Sequence, residues 1–449
     1  MSAIEVITED LKTHPECPHG PTILFSKFVD GEKKNFFACS ACRDRKHCSF
    51  FVYQNDVDKI SDIKKEVWEQ ERKKFLKNIN HRKLYEKFTQ VQTVQRNKSI
   101  YCHTCNIFDF SAGKHMGHNF ITNLTDYQLT HPSEILPPLD DAKKEAQFLF
   151  AQSSVEILVD ILQKLNYKNV LCIGTPRIHE YIQSNWKNMD SLDSLLLDID
   201  DRYHNFYSTL KFCWYNSFNH HFFFKEARSV YNEFMQRDNV VLITDPPFGG
   251  RIEPLAQTFT TIRKQWKKGD LSMFWIFPYF MEPQIKNSLP NFSMLDYKVE
   301  YDNHPLFQSG PKGRKYGSPV RIFTNVSPKL IVLPKDNYNY CEDCERWVSV
   351  ENKHCKLCNS CTSKDGRTYL HCNICNKCVK PSWKHCTKCN RCAIPDHKCG
   401  EILFMKECFN CKKPGHKKRD CPSIDREELN NKRKKGLKFK RCNKIRKIE

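Results

Sequence analysis

Residues 239–250 read Asn-Val-Val-Leu-Ile-Thr-Asp-Pro-Pro-Phe-Gly-Gly, and this stretch decides the fold. An apolar, β-branched run that ends at an acid, two prolines, an aromatic ring and two glycines is typical of a buried strand followed by a rigid loop. Open α/β sheets place their ligand sites at the carboxyl ends of such strands. The sequence therefore predicts an α/β domain with a site built from Asp245, Pro246, Pro247 and Phe248.

The four residues of this loop suit methyl transfer to an exocyclic amine. An acceptor for the amine hydrogens, either Asp245 or the carbonyl of Pro246, helps to leave the nitrogen lone pair free to attack a methyl sulfonium. The two prolines restrict the loop backbone, so its carbonyls lose little conformational freedom when a substrate binds. Phe248 is placed to stack on a base. Asp-Pro-Pro-Phe resembles motif IV of the amino-methyltransferases, which act on adenine N6, cytosine N4 or the glutamine amide. For these four residues alone, a strand followed by a proline-rich turn is the alternative.

The segments around this loop occur in the order of a Rossmann-like, S-adenosylmethionine-dependent methyltransferase domain. A helix is predicted over 142–165, followed by strands at 168–176, 195–200 and 213–219. The strand that leads to Asp245 is then the fourth. Later strands are predicted at 272–280, 294–299 and 319–326, the last two as an antiparallel pair that closes the sheet.

The resemblance to these methyltransferases also implies a cofactor site. Asp198, at the end of the second strand, matches the acid that holds the ribose hydroxyls. Phe218 and Asn219 match the adenine contacts, with Asn216 a further candidate, and the usual repeated glycines of the first turn are reduced to Gly174. The implied cofactor-binding residues are Gln147, Ile173, Gly174, Thr175, Pro176, Asp198, Phe218, Asn219 and Asp245.

Composition indicates a polyanionic partner and bound metal. The 449 residues include 72 Lys and Arg against 52 Asp and Glu, a formal net charge of +20, which favours nucleic acid. Most of the 24 Cys fall in C-x2-C pairs, which indicates zinc sites in a reducing compartment. We expect neither a signal peptide at residues 1–13 nor a membrane span, since the most apolar run, 271–281, is short and contains Pro278.

Two zinc fingers are predicted before the methyltransferase domain. The C-x-H pair at Cys17 and the aromatic residues beside two later cysteines resemble a GRF-type finger, a family that binds single-stranded nucleic acid. The resemblance implies the ligands Cys17, His19, Cys39 and Cys48, with Cys42 able to replace one of them. Near-helical apolar spacing over 60–94 predicts one or two amphipathic helices. The pattern C-x2-C-x9-H-x2-H then predicts a structural Cys2His2 finger with ligands Cys102, Cys105, His115 and His118.

A segment rich in Cys and His follows the methyltransferase domain. It resembles the cysteine-rich domain of DHHC palmitoyltransferases, but Lys398 replaces the second His and the membrane helices of that family are absent, so acyl transfer is not predicted. Sixteen candidate ligands are enough for up to four zinc ions. They are Cys341, Cys344, His354, Cys355, Cys358, Cys361, His371, Cys372, Cys375, Cys378, His385, Cys386, Cys389, Cys392, His397 and Cys399.

A zinc knuckle and a basic tail are predicted at the end of the sequence. The spacing C-x2-C-x4-H-x4-C assigns zinc ligands to Cys408, Cys411, His416 and Cys421, and Phe409 is placed to stack on an unpaired base. Residues 424–449 are dense in Lys and Arg, as expected of a disordered tail that contacts phosphates and directs nuclear import.

The order of these modules resembles the family of rRNA N6-adenosine-methyltransferases that contain a CCHC zinc finger. The resemblance covers nearly the whole chain and implies methylation of one adenosine in the large-subunit ribosomal RNA, with S-adenosyl-L-methionine as cofactor and several structural zinc ions. It also implies a nuclear and nucleolar location, with some protein in the cytoplasm. RNA helicases and ribosome-assembly factors are further possible partners that the sequence does not specify. The predicted modules are a GRF-type finger (14–54), a helical connector (55–100), a Cys2His2-type finger (101–131), the methyltransferase domain (139–335), a Cys/His-rich domain (338–400), the knuckle (405–423) and the basic tail (424–449).

Two other classes of function are compatible with the residues. One is a non-catalytic, RNA-binding zinc protein with a vestigial methyltransferase fold, which would not bind S-adenosylmethionine. The other is an amino-methyltransferase that acts on DNA adenine or protein glutamine, which would bind the cofactor and form a different product.

Overall fold

A computed structural model describes residues 5–7, 11–29, 32–42, 45, 47–139, 147–185, 192–308, 311, 313–397 and 399. The predicted knuckle with Cys408, Cys411, His416 and Cys421, and the basic tail, lie outside the described residues. None of the helices in these described ranges has the length and apolarity needed to cross a bilayer.

The amino-terminal part consists of small sheets joined by two helices. A four-stranded sheet has the order β1-β4-β5-β6, and a second small sheet has the order β8-β7-β9. The predicted amphipathic helices are confirmed as two helices, and the Asn80 side chain caps the second by accepting a hydrogen bond from the Lys83 amide. The elements are β1 (Glu5–Ile7), β2 (Glu16–Cys17), β3 (Gly20–Pro21), β4 (Ile23–Val29), β5 (Glu32–Ala38), β6 (Phe51–Tyr53), α1 (Asp62–Leu76), α2 (His81–Thr93), β7 (Ile100–Cys102), β8 (Ile107–Asp109), β9 (Phe120–Thr122) and α3 (Asp126–Thr130).

The predicted α/β fold is confirmed by an eight-stranded central sheet. Its order is β13-β12-β11-β10-β14-β15-β17-β16. Strands β10, β11, β12, β14 and β15 are parallel neighbours, while β13 and β17 run antiparallel to the strands beside them. The elements are α4 (Gln152–Lys164), β10 (Asn169–Ile173), α5 (Pro176–Ser184), β11 (Asp193–Asp198), β12 (Phe212–Asn216), β13 (His221–Phe222), α6 (Lys225–Phe234), β14 (Val240–Thr244), α7 (Ile252–Gln265), β15 (Ser272–Pro278), α8 (Glu282–Ser288), β16 (Ser293–Leu295) and β17 (Val320–Thr324).

The two faces of this sheet bury separate apolar clusters, because successive residues of a strand point to opposite faces. On β10, Val170 and Cys172 belong to one cluster, and Leu171 and Ile173 belong to the other. Strands covered on both faces consist of continuous apolar residues, which is why β10, β11 and β14 are visible in the sequence.

The helix predicted to begin at 142 begins instead at Gln152. Residues 140–146 are outside the described ranges, and residues 147–151 are not helical. The reason is tertiary: Phe150 forms an antiparallel bridge with Tyr301, and the Ala151 amide donates to the Glu300 carbonyl at 2.9 Å. These hydrogen bonds to distant residues keep residues 147–151 extended, although the sequence pattern there predicts a helix.

Both amino-terminal fingers pack on the central sheet. The side-chain amides of Asn216 and Asn219 donate to the carbonyl of His19 at 2.9 and 3.0 Å. In the second finger, the carbonyl of Asn106 accepts a hydrogen bond of 2.9 Å from the side chain of Asn205. Direct hydrogen bonds therefore connect each finger to the domain built on the central sheet.

Four hairpins of similar sequence follow the sheet. They are β18–β19 (Tyr338–Cys341 with Arg346–Ser349), β20–β21 (His354–Cys355 with Ser360–Cys361), β22–β23 (Leu370–Cys372 with Lys377–Val379) and β24–β25 (Lys384–Cys386 with Arg391–Ala393). Asn359, Asn376 and Asn390 follow the second cysteine of a C-x2-C pair with φ of 45–46°. Asn tolerates this left-handed conformation better than most residues, and the repeat reflects that requirement.

Candidate active site

A pocket lies at the carboxyl ends of β10, β11, β12 and β14. The chain order of the sheet reverses between β10 and β14, and such a switch point opens a crevice in which α/β proteins bind ligands. The lining residues are Leu139, Gln147, Phe148, Ile173, Gly174, Pro176, Leu197, Asp198, Ile199, Asp200, Tyr215, Asn216, Ser217, Phe218, Asp245, Pro246, Pro247 and Phe248.

The first turn has a single glycine, Gly174, and it lines this pocket. Gly174 has a φ of +63°, and a Cβ atom there would lie 3.2 Å from the carbonyl oxygen of Asp245. The Gly174 amide donates to the Leu197 carbonyl at 3.0 Å, and the Asp245 amide donates to the Ile173 carbonyl at 3.2 Å. The backbone thus ties three strand ends together at the point where a cofactor would lie.

Asp198, the predicted ribose acid, lines the pocket at the end of β11. Its side chain is 8% exposed, and its Oδ1 accepts a hydrogen bond of 3.0 Å from the Asp200 amide. Burial, with a contribution from the nearby Asp200 carboxylate, raises the pKa of Asp198 to about 7. The ionised form is the better acceptor for two ribose hydroxyls, so this shift has a consequence for binding.

We expect S-adenosylmethionine to bind about ten-fold more weakly at pH 6 than at pH 8. With a pKa raised to about 7, Asp198 is largely ionised at pH 8 and largely protonated at pH 6, and binding would draw on the ionised fraction. Isothermal titration calorimetry at both pH values measures the change. The control, Asp198→Asn, should bind weakly at both. Equal wild-type affinity at pH 6 and pH 8 would contradict the role given to Asp198.

Some of the predicted cofactor contacts line the pocket and others do not. Phe218 and Asn216 line the pocket. Asn219 and Thr175 are not among the lining residues, and both were expected to contact the cofactor. The Asn219 amide instead donates to the carbonyls of His19 and Pro21. It faces the finger because β12 has ended at Asn216 and the chain turns at that point.

The Asp-Pro-Pro-Phe loop lines the same pocket as Asp198, the predicted ribose acid. Burial raises the pKa of Asp245 well above its usual range, and a hydrogen bond from Tyr301 opposes that shift. Pro247 accepts a hydrogen bond of 2.7 Å from the Gly250 amide, which closes the loop into a tight turn. Phe248 is half-buried, with Phe148 5.6 Å away between ring centroids. The loop therefore offers a half-buried acceptor beside an aromatic ring.

Several residues in or beside the pocket carried no signal of their own in the sequence. Phe148 and Tyr215 are ordinary apolar residues of their segments. Tyr301, which contacts Asp245, lies 56 positions further along the chain. Asp200 was visible as a second acid at the end of β11, and its salt bridge with Arg202 (2.7 Å) keeps its carboxylate beside Asp198.

The predicted ligands of both amino-terminal fingers lie together. Within each set the donor atoms are within 4.8 Å of one another. In the second finger, Asp109 contacts the outer nitrogen of His115 at 3.3 Å, as is common for a carboxylate behind a zinc ligand. In the first finger, the sulfur of Cys42 lies 3.6 Å from His19, so it stays a possible substitute ligand. The sets are Cys17, His19, Cys39 and Cys48, and Cys102, Cys105, His115 and His118.

The hairpins resolve part of the ligand pairing after residue 338. Hairpin β20–β21 supplies His354 and Cys361 to one set and Cys355 and Cys358 to the next, so successive metals share a hairpin. Sulfur-to-nitrogen distances of 3.2–3.6 Å for the C-x2-C cysteines match the edges of a tetrahedral zinc site, about 3.5 Å. The sets are Cys341, Cys344, His354 and Cys361, and Cys355, Cys358, His371 and Cys378.

The same spacing of Cys and His recurs further along the sequence at Cys372, Cys375, His385 and Cys392. In the segment that begins at residue 382, a further group has matching distances. The sulfur atoms of Cys389 and Cys399 each lie 3.4 Å from Nε2 of His397, and Cys386 lies 3.4 Å from Cys399. The composition and spacing of these groups fit structural zinc.

The sheet order, the reduced glycine turn and the acidic strand end together define a Rossmann-like, S-adenosylmethionine-dependent amino-methyltransferase. The family described as "Probable N6-adenine methyltransferase" matches residues 141–325, and the family "Zinc knuckle" matches residues 406–423. Proteins named rRNA N(6)-adenosine-methyltransferase ZCCHC4 are similar over the chain's length. That of Homo sapiens is 46% identical, covering 96% of this chain and 87% of its own. Those of Xenopus tropicalis (44%; 96% and 92%) and Mus musculus (46%; 94% and 86%) are comparable.

The chain belongs to the ZCCHC4 family of rRNA N(6)-adenosine-methyltransferases. It is therefore an enzyme that uses S-adenosyl-L-methionine, and the comparisons do not favour the non-catalytic, DNA or protein-glutamine alternatives.

Proposed function

We propose that the protein forms N6-methyladenosine in ribosomal RNA of the large subunit. The observation that carries this proposal is the position of Asp245, a half-buried acceptor that shares one pocket with Asp198, the predicted ribose acid. Relatives at 43–46% identity bear the name of an rRNA N(6)-adenosine-methyltransferase, which favours RNA adenosine over other amines. We also propose a nuclear and nucleolar location, with some protein in the cytoplasm, because residues 424–449 are rich in Lys and Arg.

The residues of the pocket divide into cofactor and substrate groups in this proposal. Gln147, Ile173, Gly174, Pro176, Asp198 and Phe218 would hold S-adenosylmethionine, which supplies an electrophilic methyl group when bound. The adenosine leaves its stack to enter the pocket, as enzymes that modify bases require. Phe248 stacks on the base, and Asp245 with the Pro246 carbonyl accepts hydrogens from N6. Desolvation makes the Asp245 carboxylate a stronger acceptor than one in water.

The zinc modules would bind the RNA around the target base. In the first finger, the guanidinium of Arg45 lies 3.8 Å from the ring centroid of the half-buried Phe51. The half-buried Phe25 stacks on the buried ring of Phe36 at 5.5 Å. Such surfaces bind unpaired bases and phosphates without strict sequence preference. The net charge of +20 supports the same partner.

Mass spectrometry of nucleosides tests this function directly. Ribosomal RNA from cells that lack the protein should contain less N6-methyladenosine in the large subunit. Purified protein with isotopically labelled S-adenosylmethionine should restore it in that RNA. Unchanged RNA together with measurable cofactor binding would point to a different acceptor, and the absence of cofactor binding would overturn the enzymatic assignment.

A further inference from the structure

Tyr301 makes a direct contact with the reactive loop. Its hydroxyl donates to both carboxylate oxygens of Asp245, at 3.0 Å to each. The Tyr301 side chain is fully buried. Burial and the neighbouring Asp245 raise the pKa of Tyr301 well above its usual range, so the phenol keeps its proton and acts as donor.

The position of this hydroxyl is determined by backbone pairing. Tyr301 forms an antiparallel bridge with Phe150, and its amide donates to the Phe307 carbonyl at 3.2 Å. On either side, the Ala151 amide donates to Glu300 and the Asp302 amide donates to Leu149, both at 2.9 Å. The ring also packs against other aromatic rings, with Phe150 nearest at 5.2 Å between centroids. A donor fixed in this way has little freedom to lose when substrate binds.

A carboxylate without such a donor rotates freely about its last side-chain bond. A phenol that donates to both oxygens selects one rotation of the carboxylate. The outward lone pairs of the carboxylate then point away from the phenol. In a preorganised site, such an arrangement stabilises the transition state more than the same groups would in water.

We propose that Tyr301 is a positioning residue for methyl transfer, which holds the Asp245 carboxylate in the rotation that accepts a hydrogen from the target amine. The inference rests on the proposed function, because it presupposes that Asp245 accepts from an exocyclic amine. It adds no covalent step: Tyr301 keeps its proton, and its effect reaches the amine through Asp245.

The test is Tyr301→Phe, which removes one hydroxyl from a buried ring. We expect kcat to fall roughly ten- to a hundred-fold, as for loss of a hydrogen bond to a charged group. The KM values for S-adenosylmethionine and RNA should stay within about two-fold, since the hydroxyl does not line the pocket. Tyr231→Phe is the matched control, because Tyr231 is also fully buried and its hydroxyl donates to Gln265 at 2.7 Å, away from the pocket.

The pH profile of kcat separates positioning from a structural effect. Because the Tyr301 hydrogen bond lowers the pKa of Asp245, its removal should move the acidic limb of the profile to higher pH. Tyr231→Phe should not move it. Other charged or titratable groups lie on the elements that surround the Asp245 carboxylate, and both variants retain them: Asp198, Asp200, Arg202, Arg177, Asp302, His304 and Arg314.

A second substitution preserves the shape of the side chain. Difluorotyrosine incorporated at position 301 is a more acidic donor, so it should move the acidic limb to lower pH while leaving the thermal midpoint near that of the wild type. Two results would overturn the positioning role. One is a kcat for Tyr301→Phe within two-fold of wild type, and the other is an acidic limb that moves neither in Tyr301→Phe nor in the difluorotyrosine protein. Wild-type protein that fails to methylate RNA adenosine would instead refute the proposed function itself.

Discussion

Asp245→Ala is expected to reduce kcat by at least about a thousand-fold while RNA affinity stays within about two-fold of wild type. The change removes the carboxylate that accepts hydrogens from the target amine in a desolvated site, where acceptors of this kind contribute most. In the proposed function, RNA affinity comes from the zinc modules and from phosphate contacts remote from this side chain. Single-turnover methylation and a filter-binding assay with the same RNA measure the two quantities.

Asp238→Ala is the matched control for this substitution. Asp238 lies just before the first residue of β14, and its exposed side chain forms a salt bridge with Lys268. Its loss should therefore leave turnover unchanged. Asp245→Ala protein with turnover close to wild type would refute the assignment of the reactive loop. A parallel loss of RNA affinity would show that Asp245 acts mainly in substrate binding.

Cys39→Ala is expected to release one zinc ion and to weaken S-adenosylmethionine binding more than ten-fold. Zinc binding at such sites supplies on the order of 10 kcal/mol of folding free energy, so the first finger should unfold. The second effect follows from Asn216, which lines the pocket and donates to the His19 carbonyl of that finger at 2.9 Å. Native mass spectrometry counts the zinc, and calorimetry gives the cofactor affinity.

Cys42→Ala distinguishes the two possible ligand sets of this finger. The described set contains Cys39 and not Cys42, so this variant should retain its zinc and its cofactor affinity. The hydrogen bond from the backbone amide of residue 42 to the sulfur of Cys39, 3.2 Å long, would persist in the variant. Loss of zinc from Cys42→Ala, with zinc retained in Cys39→Ala, would reverse the assignment.

The sequence was most informative where one local requirement dominated. Strands β10, β11 and β14 are covered on both faces, so each is a short apolar run that no surface segment would carry. Zinc ligands follow a fixed spacing because the backbone must turn tightly around the metal, and this spacing grouped the ligands of the second finger correctly. Such features depend on residues close together in the chain.

The structure departs from local preference where distant segments supply the hydrogen-bond partners. The helix expected from residue 142 begins at Gln152, because the pairing of Phe150 with Tyr301 keeps residues 147–151 out of the helix. Asn219, a predicted cofactor contact, does not line the pocket, and its side-chain amide donates to two carbonyls of the first finger. In both cases the decisive partner is more than 140 residues away.

The fold class and the order of the strands along the chain were predictable from local sequence and are confirmed, while the reactive role of Asp245 and the metal ligands stay predictions that the geometry of the pocket and of the Cys/His groups supports. Hydrophobic burial and metal coordination leave periodic patterns, so these features can be read locally. Only the tertiary structure decided which residues share the pocket, how the Cys-rich hairpins exchange ligands and which donor meets the Asp245 carboxylate. Those contacts join segments far apart in the chain, and a hydrogen bond such as that from Tyr301 depends on positions in space that no local pattern records.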